Sequence, residues 1–300
     1  MNRQRLNCFP GIPRGCLLTS VGLWIAMIFL ALQAAADTTS VDPLFEGLRQ
    51  RLIDAGFDAE RVESLYRQPG VSFETRGVSL FFVHSEARLD YDQFLSLERL
   101  RKARDYLNEH LEALERAESE FGVEREVITA ILLVETQLGT ITGRQSALNI
   151  LSSMAALSNS GVREQFWKDI DSERRLPRDE FEAKADRRSE WAFNELKALL
   201  TYVEREQIDP LTIPSSYAGA MGICQFMPSN ALTLGVDGNG DGRVDLFDHS
   251  DAIASVANYL KHHGWKPNMA EEQSYRVILR YNYSRPYAET ILKLATRLKG

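Results

Sequence analysis

Fifteen residues, Asp237 to Asp251, hold six carboxylate or amide side chains and three glycines in the order Asp-Gly-Asn-Gly-Asp-Gly-Arg-Val-Asp-Leu-Phe-Asp-His-Ser-Asp. Oxygen-bearing side chains stand at loop positions one, three and five (Asp237, Asn239, Asp241), and Gly242 at position six permits a sharp turn. That is the EF-hand layout for a hard cation. Beyond it the pattern departs: position nine is Asp245, and position twelve is Asp248 where a bidentate Glu is usual. Asp251 closes a longer loop instead, so the residues alone leave both closures open, with a solvated Asp/Gly turn as the plain alternative. The expected ion is structural calcium, with sodium as the alternative. Several carboxylates leave few open positions for a substrate, and neither a phosphate loop nor a His pair accompanies the run, so no catalytic cofactor is expected.

Around that loop, 300 residues with 44% hydrophobic and 26% charged composition suffice for one large or two small globular domains and exclude a disordered chain. Arg3, Arg5 and Arg14 precede an apolar run from Cys16 to Ala36 that ends in three alanines before Asp37. This predicts a secretory signal peptide over residues 1–36, with an uncleaved membrane anchor as the alternative. Cleavage removes Cys8 and Cys16 and leaves Cys224 alone, so no internal disulfide is expected in an oxidising compartment. It also removes three arginines and no acids, taking the formal charge from −7 to −10, which argues against a nucleic-acid partner.

The remainder reads as helix, with little or no β-sheet. Asp42 to Leu65 is amphipathic, and Tyr91 to Phe121 is long, charge-rich and free of Gly and Pro. Val123 to Leu138 is apolar nearly all round and is expected as a central helix ended by Gly139. Gly161 to Val203 is dense in charge, and its Arg174–Arg188 part is expected as an exposed excursion. Asp251 to His263 and Glu289 to Lys299 read as further helices.

Glu135 is the candidate acid. Helical spacing puts it on one face with Ile128, Ile131, Leu132 and Leu138, an apolar setting that disfavours a charged carboxylate. Such a group keeps its proton near neutral pH and can give it to a leaving oxygen. From periodicity alone, a Glu that reaches solvent or pairs with an Arg is as good a reading.

Its company decides. Val134-Glu135-Thr136 with Gly139, Ser216-Tyr217-Ala218-Gly219-Ala220-Met221-Gly222, Gln225-Phe226-Met227-Pro228-Ser229, the Asp237 loop, Ala252 to Tyr259, His263-Gly264-Trp265 and Tyr281-Asn282-Tyr283-Ser284 follow in one order. Together they resemble the membrane-bound lytic murein transglycosylase B family, most specifically between Ser216 and Trp265. The resemblance implies a mainly α, lysozyme-like core over 121–300, an N-terminal helical region over 37–120, and an embedded EF-hand-like loop over 237–251. It implies an exported, periplasmic enzyme with an N-terminal membrane attachment left open. Its partner would be peptidoglycan glycan strands, and other cell-wall enzymes are a further partner class. The implied reaction is cleavage of the MurNAc–GlcNAc β-1,4 bond without water, leaving 1,6-anhydro-MurNAc, with Glu135 as the single acid and then base. Ser216, Gln225, Tyr259, Tyr281, Asn282 and Tyr287 fall on positions lining the family's sugar groove, and Arg187 and Arg188 on a pair near it. The family's loop has fifteen residues, which favours Asp237, Asn239, Asp241, the Arg243 carbonyl and Asp251 as metal ligands.

The chain also departs from that pattern. Gln137-Leu138 stands where an aromatic usually precedes the Gly, residues 156–191 are longer and more charged, and residues 265–281 are shorter. Two other functions compete: a muramidase using water, with Asp169, Asp171 or Glu173 as second carboxylate, and a noncatalytic peptidoglycan-binding scaffold.

Overall fold

The computed structural model describes residues 41–83, 90–171 and 175–300. The expected signal segment and Glu173 lie outside the described residues.

Two buried helices organise the chain. The first, Arg125–Thr136, buries Val127 through Leu133 and Thr136. The second, Ala147–Ala156, buries all ten of its residues. Helices apolar on every side must be covered on every side, and the remaining elements do this. In chain order they are α1 (Glu46–Asp54), α2 (Ala59–Tyr66), α3 (Thr75–Val83), α4 (Leu97–Glu109) and α5 (Leu111–Phe121), then the two central helices as α6 and α7. After them come α8 (Ser160–Asp169), α9 (Arg178–Glu206), α10 (Pro228–Leu234), α11 (His249–His262), α12 (Glu271–Tyr281) and α13 (Arg285–Leu298). Helix α6 is enclosed by α4, α5, α11 and α13, whereas α7 lies under α9, α1 and α3. Among the described residues the only sheet has two short antiparallel strands, β1 (Gln145–Ser146) and β2 (Pro214–Ser215), with Gln145 opposite Ser215.

The amphipathic segments appear as expected, with finer breaks. Asp42–Leu65 divides into a 3-10 turn at Pro43–Phe45, α1 and α2, the last begun by Asp58 accepting the Arg61 N–H at 2.8 Å. Tyr91–Phe121 divides into a 3-10 turn (Tyr91–Leu95), α4 and α5, breaking at His110, whose φ of −107° leaves the helical range.

One reading is corrected. Residues from Arg178 to Arg188 are not an excursion but the first three turns of the 29-residue α9. Their charges are absorbed by pairs that helical spacing permits: Arg178 with Glu182 at i,i+4, Arg163 with Glu182 and Asp186, and Arg178 with Glu164. Meanwhile Phe181, Ala185, Ser189 and Ala192 form a buried stripe at helical intervals.

Candidate active site

Glu135 occupies the last turn of α6 and is half-buried. The helix stops one residue later, earlier than the glycine suggested. Gln137 and Leu138 both take left-handed backbone, at φ 52° and 62°, before Gly139 at 85°. Hydrogen bonds sustain this run of left-handed residues: the Gln137 N–H donates to Leu133 O at 3.0 Å and the Leu138 N–H to Leu132 O at 2.9 Å, a Schellman-like closure. Arg99 of α4 donates to the Gln137 amide oxygen, so the departure from the aromatic pattern has a tether of its own.

Thr136 ties this helix end to the motif residues 221–226. Its buried Oγ1 donates to Ile223 O at 2.7 Å and accepts the Gly139 N–H at 2.9 Å. Met221, Ile223, Cys224 and Phe226 are buried, and the Met221 N–H donates to Phe226 O at 2.9 Å, making a closed turn, the floor to which Thr136 bonds the end of α6. Gly222, at φ 78°, permits its approach to the Asp237 loop, since a Cβ there would stand 2.4 Å from Leu246 Cβ. At Gly143, φ 118°, an added Cβ would stand 2.1 Å from Ser215 O, so the chain after α6 can lie against β2 only with glycine there.

The sequence-predicted residues fall into three groups. Tyr287 meets the acid directly: its Oη donates to Glu135 Oε1 at 2.7 Å. Burial, and next the charge of Glu135, push its phenol well above the ordinary tyrosine value, so it remains a neutral donor. Tyr281 stacks parallel to it at 6.5 Å between centroids and donates to Cys224 O at 2.6 Å, and Tyr259 packs edge-on against Tyr281 at 4.9 Å and donates to Arg280 O at 2.6 Å. Tyr259 and Tyr287 are only 6% and 1% exposed. The rings of Tyr259 and Tyr287 each pack against Tyr281, so at these two positions the hydroxyls are engaged, Tyr259 with Arg280 O and Tyr287 with Glu135.

Gln225 and Ser216 shape the floor and its rim. Gln225, left-handed at φ 51°, spans to Thr142 O at 3.1 Å and Gly222 O at 3.0 Å through Nε2. Ser216 Oγ accepts the N–H groups of Ala218 and Ala220, both at 3.2 Å, and so closes the Ser216–Ala220 turn. Asn282 is half-buried between α12 and α13.

The third group lies on α9. Arg187 is exposed, and Arg188 is half-buried with its guanidinium 5.6 Å over the Trp191 ring. Helix α9 packs on α7 and α10, whereas the acid is joined to α13.

Sequence reasoning listed neither Thr136 nor Arg99 as functional. Thr136 was visible only as the third residue of a motif, and Arg99 carries no local signal because its partner is 38 residues away.

In the Asp237 loop, the two proposed closing residues do different work. Asp248 Oδ1 accepts the Ser250 and Asp251 N–H groups at 2.8 and 3.2 Å and caps α11. Asp251 is fully buried and turns into the loop, accepting from Gly238 at 2.9 Å, Asn239 at 3.2 Å and Asp245 at 2.7 Å. Burial raises its pKa above the usual carboxylate range. Asp237 accepts from Gly240, Asp241 and Gly242, Asn239 from Asp241, and Asp241 from Arg243, whose carbonyl is the remaining expected donor. Among the described residues no group of three Asp, Glu, His or Cys side chains is gathered as a metal cluster, and the loop carboxylates accept from loop N–H groups.

Comparison with known proteins places this arrangement. Residues 40–274 match the family described as Transglycosylase SLT domain. The chain is 34% identical over 218 residues to membrane-bound lytic murein transglycosylase B of Escherichia coli K12, an alignment covering 72% of this chain and 53% of that one. It thus spans about half the length of that relative. Soluble lytic transglycosylase SltB1 of Pseudomonas aeruginosa superposes with a TM-score of 0.68 at 27% identity, over 85% of this chain and 97% of the other. Escherichia coli lytic transglycosylase Slt35 in complex with calcium superposes with a TM-score of 0.67 at 23% identity, over 87% and 94%. The mainly helical architecture is thus the lysozyme-like one of these enzymes. With nearly four-fifths of its 300 residues inside the matched span, the chain belongs to the transglycosylase SLT domain family.

Proposed function

We propose that this protein is a lytic murein transglycosylase that cuts the β-1,4 bond between MurNAc and GlcNAc and leaves 1,6-anhydro-MurNAc ends. One observation carries the reading: a half-buried Glu135 held at Oε1 by the buried Tyr287 phenol. Glu135 is also the acid whose charge bears on Cys224, Tyr281 and Tyr287 together. Hydrolysis with water ordinarily uses two carboxylates; a single acid suffices when the substrate supplies the nucleophile.

In this scheme Tyr287 occupies Oε1, so the transferable proton sits on Oε2. Glu135 gives that proton to the glycosidic oxygen as the C1–O bond breaks, and the N-acetyl group stabilises the cationic C1. The carboxylate then takes the proton of the 6-hydroxyl, whose oxygen bonds to C1 and closes the anhydro ring. Attack by a tethered hydroxyl has the advantage of proximity. Ser216, Gln225, Tyr259, Tyr281, Asn282, Tyr287, Arg187 and Arg188 are proposed to border the glycan, and residues 121–300 to form the core that binds it. Asp169 and Asp171, the second carboxylates a muramidase would recruit, are exposed at the end of α8 and just beyond it.

We also propose calcium in the Asp237 loop. The donors are all oxygen, as that ion requires, and the buried Asp251 carboxylate draws its hydrogen bonds from backbone N–H groups. Asp237, Asn239, Asp241, the Arg243 carbonyl and Asp251 would hold it, and its contribution is to stabilise the loop. Export to the periplasm through residues 1–36 completes the reading. Among the described residues no helix is long and apolar enough to cross a membrane.

Digestion of sacculi in ¹⁸O water tests the reaction. Products without solvent oxygen are expected; incorporation at the new reducing end would establish a muramidase instead.

A further inference from the structure

Single exposed aromatics are ordinary on protein surfaces, so the 93% exposure of Tyr283 means little by itself. Its mounting gives it meaning. Tyr283 is the middle of three residues joining α12 to α13, and both ends of that connector are fixed at the site. On one side Tyr281 Oη is bonded to Cys224 O in the floor; on the other, four residues on, Tyr287 Oη is bonded to Glu135. Within the connector the Asn282 N–H donates to Ile278 O at 3.2 Å and the Ser284 N–H to Asn282 O at 2.8 Å, while Ser284 Oγ caps α13. With the backbone of so short a turn already braced, little backbone order remains to be lost when a ligand covers the side chain it displays.

The three tyrosines on the family's groove-lining positions are themselves largely covered. Tyr259 and Tyr287 are buried, and Tyr281 is half-buried between them. A pyranose ring has an apolar C–H face that suits the negative face of an aromatic ring, and the tyrosine hydroxyl at the rim remains in water. The loop that Gln225 ties down through Thr142 O carries Ile141, itself 54% exposed.

We propose that Tyr283 is a sugar-stacking platform, its ring lying against a pyranose of the glycan strand whose scissile bond is at Glu135. This rests on the function proposed above and adds a binding residue that the motif comparison did not assign. The test reads binding alone. In a Glu135→Gln background, affinity for purified uncross-linked glycan strands is measured by calorimetry with Tyr283→Ala, Tyr283→Phe and, as a control, Leu97→Ala, another highly exposed apolar side chain (85%). Tyr283→Ala is expected to bind about tenfold more weakly, the usual scale for truncating an aromatic anchor, with Tyr283→Phe and Leu97→Ala within about twofold of the background. Unchanged affinity in Tyr283→Ala, or a loss in Tyr283→Phe as large as in Ala, would overturn the stacking role. If Glu135→Gln itself failed to bind strands while circular dichroism showed it folded, the functional reading would fall, and this inference with it.

Discussion

Glu135 is positioned by three side-chain hydrogen bonds at it or its helix end, each spanning a long stretch of chain. Tyr287 is 152 residues away, Thr136 bonds to a carbonyl 87 residues on, and Arg99 reaches Gln137 from 38 residues before. Tyr287→Phe separates the hydroxyl's role from that of the buried ring, which the substitution preserves. A hydrogen bond to a charged group contributes about 1.5–3 kcal/mol. The expected result is therefore a kcat about tenfold to a hundredfold lower, with KM within about twofold and a melting temperature lowered by a few degrees. Turnover of sacculi by the two proteins checks it, and an unaltered kcat would remove Tyr287 from the mechanism. Helical periodicity alone left Glu135 level with an acid that reaches solvent or pairs with an Arg, and it was the order of the motifs around it that singled it out. The role of its phenol partner was not legible: whether a tyrosine shows its face or only its hydroxyl depends on what covers it, and here Tyr91 and Tyr281 pack against Tyr287.

Among the elements, those with a regular apolar stripe were readable to within a turn, and those stabilised by distant charge pairs were not. The central α6 was expected through Leu138 and stops at Thr136 because Gln137 and Leu138 adopt backbone that glycine usually takes. The first turns of α9 resembled a solvated excursion because their partners, Arg163 and Glu164, belong to α8. In the Asp237 loop, geometry separates two acids that spacing alone could not. Asp248 caps α11, a task that Asn performs about as well, whereas Asp251 turns into the loop. If the loop holds calcium, saturating ion should raise the melting temperature of the chelator-treated protein by several degrees, since a ligand at a hundred times its Kd contributes about 2.7 kcal/mol. Asp251→Asn should abolish that increment and Asp248→Asn should retain it, as differential scanning calorimetry with and without calcium would reveal. Retention in Asp251→Asn would move the closing ligand elsewhere.

At the scale of the whole molecule, the N-terminal segment serves as cover for the core. Residues 41–83 lie over α7, with Tyr66 Oη 2.7 Å from Ser152 Oγ and Asn149 Nδ2 donating to Gly70 O at 2.7 Å. Each large apolar side chain of α7 is fully buried, a contribution of about 1.5–3 kcal/mol apiece that exposure would forfeit. A chain beginning at residue 90 is therefore expected to aggregate or to lose its cooperative melting transition, whereas one beginning at residue 37 should melt as a single transition; a cooperative melt of the shorter chain would show that the cover is dispensable. Motif order pointed to the helical class and the acid, but not to this cover, because no motif records which surface a helix hides. The central claim, that Glu135 alone does the proton chemistry, is tested most directly by mass spectrometry of fragments released from purified sacculi by the chain from residue 37, with Glu135→Gln in parallel. The account predicts anhydro-ended muropeptides from the first protein and none from the second, with sacculus binding intact in both. Anhydro-ended fragments released by Glu135→Gln at a comparable rate would contradict it.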